Sequence, residues 1–269
     1  MKTFSKLFVA FSFLMAVVVG CSKDEVEPIG PNDKNDVTLE FDNRVGTQAL
    51  ALGTTTYKNS SGEDFTVTTF NYFVSNISLK KEDGTEVKFP SQYFLVRQAD
   101  SKTLEPVLKD VPAADYKEIS FTIGVDSTKS VSDVAQRIGV LDPTSYGDDN
   151  MYWSWNSGYI FVKMEGISPV VPKNSAGLNK YELHVGGYGG RTAVSPNNIR
   201  KVTLPFGEVA TVRKSIAPTV HLIADFSKVF YGTSTIKLAE TNSVHSAAAG
   251  TPIANNYQKM FTVDHVHND

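Results

Sequence analysis

The sequence predicts an all-β fold, an antiparallel Greek-key β-sandwich with one or two short helices, and three observations carry that prediction. Apolar residues recur with a period of two through most of the chain. Clusters of Gly, Pro, Asn and Asp separate the alternating runs, as tight connections between strands require. Helical spacing of apolar residues is scarce, and many short strands with little helix favour two packed sheets.

Residues 1–20 stand outside that fold. Lys2 and Lys6 form a cationic start, Leu7 to Val19 is almost wholly apolar, and the run ends in Val18-Val19-Gly20-Cys21. This is the layout of a secretory signal peptide, and it is short for a membrane span. Its end resembles a bacterial lipobox, which implies cleavage before Cys21 and acylation of that residue. Cys21 is the only cysteine of the chain, so an intramolecular disulfide is excluded. Several acyl chains on one residue would make a stable membrane anchor. Residues 21–35 are polar, with Pro28, Gly30 and Pro31, and read as a flexible tether. The acidic pair Asp24-Glu25 reads as a generic charged linker. It also resembles the signal that sends some Gram-negative lipoproteins to the cell surface. The expectation is an outer-membrane, lipid-anchored protein.

Residues 36–269 read as one domain. Val37, Leu39 and Phe41 share a face, and Phe70 to Lys80 is a long strand with a possible break at Ser75-Asn76. Asp83-Gly84 signals a tight hairpin. Val87 to Phe89 and Tyr93 to Val96 follow, and Ile119, Phe121 and Ile123 alternate with polar residues. Tyr159 to Glu165, Lys180 to Val185, Ile199 to Leu204, Val220 to Phe226 and Lys259 to Val263 complete the strands. Ser132 is a candidate cap for a short helix with Val134 and Ile138 on its inner face and Gly139 at its end. A second short turn is expected from Ser227 to Phe230.

Charge and motifs narrow the function. A net charge of -3 and a pI near 6.0 leave no basic footprint, which argues against nucleic acid as a partner. Gly186-Gly187-Tyr188-Gly189-Gly190 has neither the lysine nor the spacing of a phosphate loop. Neither a Gly-x-Ser-x-Gly elbow nor a His-Glu-x-x-His helix occurs, and the carboxylates are scattered. A binding protein is expected, not an enzyme.

The densest unusual stretch runs from Asp149 to Val162 and holds both tryptophans, Trp153 and Trp155. In an extended chain Met151, Trp153 and Trp155 point the same way, as core or lid aromatics of a sandwich also would. Met151-Tyr152-Trp153-Ser154-Trp155-Asn156-Ser157-Gly158-Tyr159, closed by Glu165-Gly166, resembles the signature of the MbnP-like copper-binding domains. Those are relatives of the copper-repressible surface proteins of methane-oxidising bacteria. Phe70 to Ile77, Tyr116 to Asp126 and Leu183-His184-Val185-Gly186 are similar to other motifs of that family, in the same order. The resemblance implies a cell-envelope protein that binds copper, as Cu(I), through histidine and a kynurenine made from Trp153 or Trp155. It also implies a partner enzyme resembling a di-haem cytochrome c peroxidase. In the copper-repressible relatives a histidine lies close to the modified tryptophan. Here none lies between Tyr116 and Leu183.

His184 falls in the matching motif, on the strand face opposite Tyr181, Leu183 and Val185. Further ligands would come from His221, His245, His265 or His267. His221 shares a face with Ile223 and Asp225 and reads first as a satisfied structural side chain. His265 and His267 are two apart, so an extended chain places both imidazoles on one face, close enough to share a metal. The same tail also reads as a frayed end. The alternative function is a non-metal ligand- or protein-interaction module working beside an outer-membrane transporter.

Overall fold

The computed structural model describes residues 28–153 and 158–269. The signal segment, Cys21, the first part of the expected tether (residues 22–27) and Trp155 lie outside the described residues. In chain order the first strands are β1 (Lys34–Val45), β2 (Gln48–Ala49), β3 (Tyr57–Lys58), β4 (Asp64–Lys81), β5 (Glu86–Arg97), β6 (Val107–Pro112) and β7 (Ala114–Ile123). Helix α1 (Ser127–Ser130) precedes β8 (Tyr152–Trp153), β9 (Gly158–Ile167), β10 (Lys180–Gly186), β11 (Arg200–Val212), β12 (Thr219–Asp225) and β13 (Ser243–Val244). Helix α2 (Ala247–Tyr257) and β14 (Phe261–His267) end the chain.

The strands form a β-sandwich. The smaller sheet has the order β14-β12-β1-β2, with β6 also on β1. The larger has the order β11-β7-β4-β9-β10-β13, with β3, β5 and β8 attached to its members. Most neighbours are antiparallel, as expected, but β1 runs parallel to β12 and β10 parallel to β13.

Alternation explains the core. Val37, Leu39 and Phe41 of β1 are buried, and the Phe41 ring meets Tyr72 of β4 and Phe121 of β7 across the sandwich. Phe261 of β14 closes the same cluster, 5.6 Å from Tyr72 and 5.1 Å from Phe121 between ring centroids, both edge to face. Such geometry suits the ring quadrupoles. The larger sheet is buried on both sides at one end. Phe73 and Tyr159 point away from the smaller sheet and pack with Tyr146 beneath the segment of short turns that follows β7. That second layer explains why β9 reads as a continuous apolar run, Tyr159-Ile160-Phe161-Val162, instead of a clean alternation.

Several expectations match in detail. The break at Ser75-Asn76 is a bulge within one continuous strand, with Asn76 at a φ of 48°. Asp83-Gly84 closes the β4–β5 hairpin, with Gly84 at a φ of 90°. The helix expected after Ser132 is not there. Val134 and Ile138 are 69% and 76% exposed, and Val134–Gln136 is only a 3-10 turn. The α-helical turn lies earlier, at α1, where the Asp126 side chain accepts from the Lys129 N–H. Helix α2 went unanticipated because Gly250 and Pro252 interrupt its sequence. Pro252 sits in the second turn of the helix, and Ser246 caps the start by accepting from Ala249.

Candidate functional site

The histidines gather in two groups on the outer faces of opposite sheets. The first group is built on β10. Tyr181, Leu183 and Val185 point into the sandwich, so Glu182 and His184 point out of it, as the alternation predicts. Strand β13 lies parallel to β10 with Leu183 opposite Val244. The next residue, His245, therefore falls beside His184, and Ser246 immediately starts α2. The two imidazoles meet at a right angle with centroids 4.6 Å apart.

Carboxylates hold this pair. Glu165 on β9 bonds His184 Nε2 at 2.7 Å through Oε1, leaving Nδ1 as the other ring nitrogen. His245 Nε2 lies 3.6 Å from Glu182. Lys180 bridges Glu165 and Glu182, and Lys163 lies 3.4 Å from Glu165. Burial pushes the Glu165 carboxyl up, but the hydrogen bonds from His184 and Lys180 and the charge of Lys163 outweigh it. The carboxyl is held at about 2. Burial lowers the His245 pKa, and the neighbouring His184 lowers it further against the opposing pull of Glu182 and Glu165. His245 is thus biased toward the neutral form that a metal ligand needs.

Trp153 is at the same end of β10. It pairs with Gly158 at the start of β9 and is 1% exposed. Its ring lies against Gly186, two residues beyond His184: a Cβ there would come within 2.8 Å of the indole. Trp153 also borders a cleft of about 330 Å³ lined by Gly187, Tyr188, Gly190 and Arg191. The other candidate for oxidation, Trp155, is outside the described residues.

The second group lies on the smaller sheet. His221 of β12 is flanked by the buried Val220 and Leu222, so its ring points outward. Its Nδ1 is 3.1 Å from Glu40 on β1. His265 and His267 of β14 approach each other at 3.1 Å between Nε2 atoms, and His265 Nδ1 is 3.0 Å from Asp264. His221 stacks on His265 with centroids 4.1 Å apart and meets His267 at 5.0 Å. One ligand nitrogen from each of the three lies within 4.8 Å of the others.

The four histidines expected as metal ligands therefore do not form one set. His221, His265 and His267 converge, whereas His184 points outward from the opposite sheet. Two sheets in face-to-face contact are about 10 Å apart, which already exceeds any shared coordination sphere. His184 is joined instead by His245. Sequence offered His245 only as one of several further ligands, because its partnership depends on the parallel β10–β13 pairing.

The family model for MbnP matches residues 34–246. The chain belongs to the MbnP family. A comparison with curated proteins finds no match. Among solved structures, MbnP from Methylosinus trichosporium shares the fold. It is 15% identical with a TM-score of 0.50, and the alignment covers 87% of this chain and 99% of that one. The MbnP match contains Trp153, His184, His221 and His245, and ends before His265 and His267.

Proposed function

We propose that this protein is an envelope lipoprotein that handles copper, holding it at the corner formed by His184, His245 and an oxidised Trp153. The observation that carries this reading is the meeting of His184 and His245 at the end of β10 against which Trp153 packs. Cu(I) takes few ligands, and imidazole suits it. His184 resembles a metal ligand in its orientation too: a carboxylate on one ring nitrogen fixes the ring and leaves the other nitrogen available. Membership of the MbnP family supports copper as the ion.

Kynurenine formed from Trp153 would add an arylamine nitrogen beside a ketone, a donor that indole lacks. The oxidant is peroxide, used by a di-haem cytochrome c peroxidase-like partner. Oxidation adds oxygen to both carbons of the indole C2–C3 bond and cleaves it, and hydrolysis releases C2 as formate. The chain's own part is to hold the indole against Gly186 and to present two oriented imidazoles nearby. The anchor on Cys21 keeps the domain at the outer membrane. In this reading the chain binds and passes on copper and turns over no substrate.

Peptide mass mapping of protein from its native envelope tests the modification. The reading expects kynurenine at position 153, absent in Trp153→Phe and retained in Trp155→Phe. Both tryptophans intact in copper-loaded protein would refute the oxidised site.

A further inference from the structure

We propose that His221, His265 and His267 form a second metal site, specific for a borderline divalent cation such as zinc(II) or copper(II), and independent of tryptophan oxidation. The inference goes beyond the copper reading above, since it concerns another sheet and other ligands.

Local structure explains why three imidazoles converge there. Phe261 and Val263 face inward on β14, so strict alternation would turn His265 and His267 inward as well. The ladder to β12 contains a bulge instead. Leu222 pairs with Val263 and Val220 with Val266, so β14 carries one more residue than β12 over that interval. Opposite His221, both Asp264 and His265 fit where one residue would. Past the bulge Val266 is buried and His267 points outward. The irregularity thus rotates both C-terminal histidines onto the face that already carries His221.

The donor set matches a metal. His265 and His267 have their Nε2 atoms at 3.1 Å. Two ligands about 2.0 Å from a tetrahedral zinc are separated by about 3.3 Å, so this pair is already near the spacing required. His221 supplies the third nitrogen, within 4.8 Å of the other two. Glu40 and Asp264 sit on the Nδ1 atoms of His221 and His265, leaving Nε2 of each as the other ring nitrogen. Carboxylates in that position orient a ligating imidazole and raise its basicity. With neutral imidazoles, the two carboxylates balance the charge of a divalent ion. Imidazole-only ligation favours zinc, copper or nickel over the oxygen-loving magnesium and calcium. Three ligands leave a fourth position open, and the solvent-exposed His267 places that position at the surface.

The test is titration of the full mature chain, with unmodified tryptophans, using Co(II) as a spectroscopic probe and Zn(II) as competitor. One equivalent of Co(II) with the intense visible bands of a tetrahedral site is expected, displaced by Zn(II). His267→Ala alters an exposed side chain and should fold normally; it is expected to abolish the bands, as is His265→Ala. Glu40→Gln should weaken binding by about 10–100-fold. His184→Ala should leave the site unchanged. Absence of a tetrahedral Co(II) spectrum, or its persistence in folded His267→Ala, would overturn the proposal. Either result leaves the corner at His184 and His245 unaffected, because that reading is tested on oxidised protein with Cu(I).

Discussion

At Gly186 the absence of a side chain is what lets Trp153 approach β10. A Cβ there would stand 2.5 Å from the Tyr159 carbonyl and 2.8 Å from the indole ring. Gly186→Ala is therefore expected to destabilise the domain by about 1–3 kcal/mol, the usual range for overpacking, and to shift the tryptophan fluorescence. Chemical denaturation and emission spectra check both. Glu63 acts at a distance on the other half of the corner. Its carboxylate accepts from the Asn59 side chain at 2.7 Å and from the Leu238 and Ala239 N–H groups at 2.6 and 3.0 Å. These bonds pin the turn leading to β13 and His245. Burial raises the Glu63 pKa, but the Ala239, Asn59 and Leu238 bonds and Lys237 together bring it below its ordinary 4.5. A depressed carboxylate pKa stabilises the fold above the unfolded value, and that contribution is lost as pH falls below about 4.5. Glu63→Ala should cost about 1.5–3 kcal/mol at neutral pH, as for lost bonds to a charged group. The difference from the parent should shrink in denaturation curves taken progressively below pH 4.5.

At the scale of the element, the two histidine groups depend on different devices. His184 meets His245 because β13 adds in parallel to β10 and hands directly into α2. The Ser246 cap is worth about 1 kcal/mol. Ser246→Ala should lower thermal stability accordingly and loosen the His184–His245 contact, which the imidazole NMR shifts of both residues would report. The C-terminal pair depends on the β14 bulge. These differences set what could be read in advance. Strands with clean alternation, such as β1 and β7, were legible, as was the outward face of His184. So was the shared face of His265 and His267, but not which face it was, because a bulge is decided by pairing with β12 and leaves no mark in β14 alone. The partnership of His245 with His184 gave no signal because parallel pairing between distant strands is a tertiary choice. The helix assigned to Ser132 failed for a related reason: a good capping residue and helical spacing over one turn do not make a buried face. Val134 and Ile138 stay largely exposed. Tyr146 and Leu141, beside them in sequence, take the buried positions over the larger sheet.

Across the whole molecule, the sandwich keeps the two groups apart and makes them separately testable. Its centre is the edge-to-face cluster of Phe41, Tyr72, Phe121 and Phe261. Phe261→Ala should cost about 3–5 kcal/mol and release β14 from the core, carrying His265 and His267 with it. Urea denaturation would register the loss, and Co(II) binding should weaken in parallel. The His184–His245 corner, on the other sheet, should keep its geometry in whatever fraction remains folded.

The central claim is that copper is held by His184 and His245 beside an oxidised tryptophan. The most direct measurement is a competitive Cu(I) titration of mature protein from its native envelope, run beside His184→Ala and His245→Ala made in the same host. The account predicts one tightly bound Cu(I) in the parent protein, strongly weakened in both variants and unaffected by His267→Ala. Equal Cu(I) affinity in the parent and the two corner variants would contradict it.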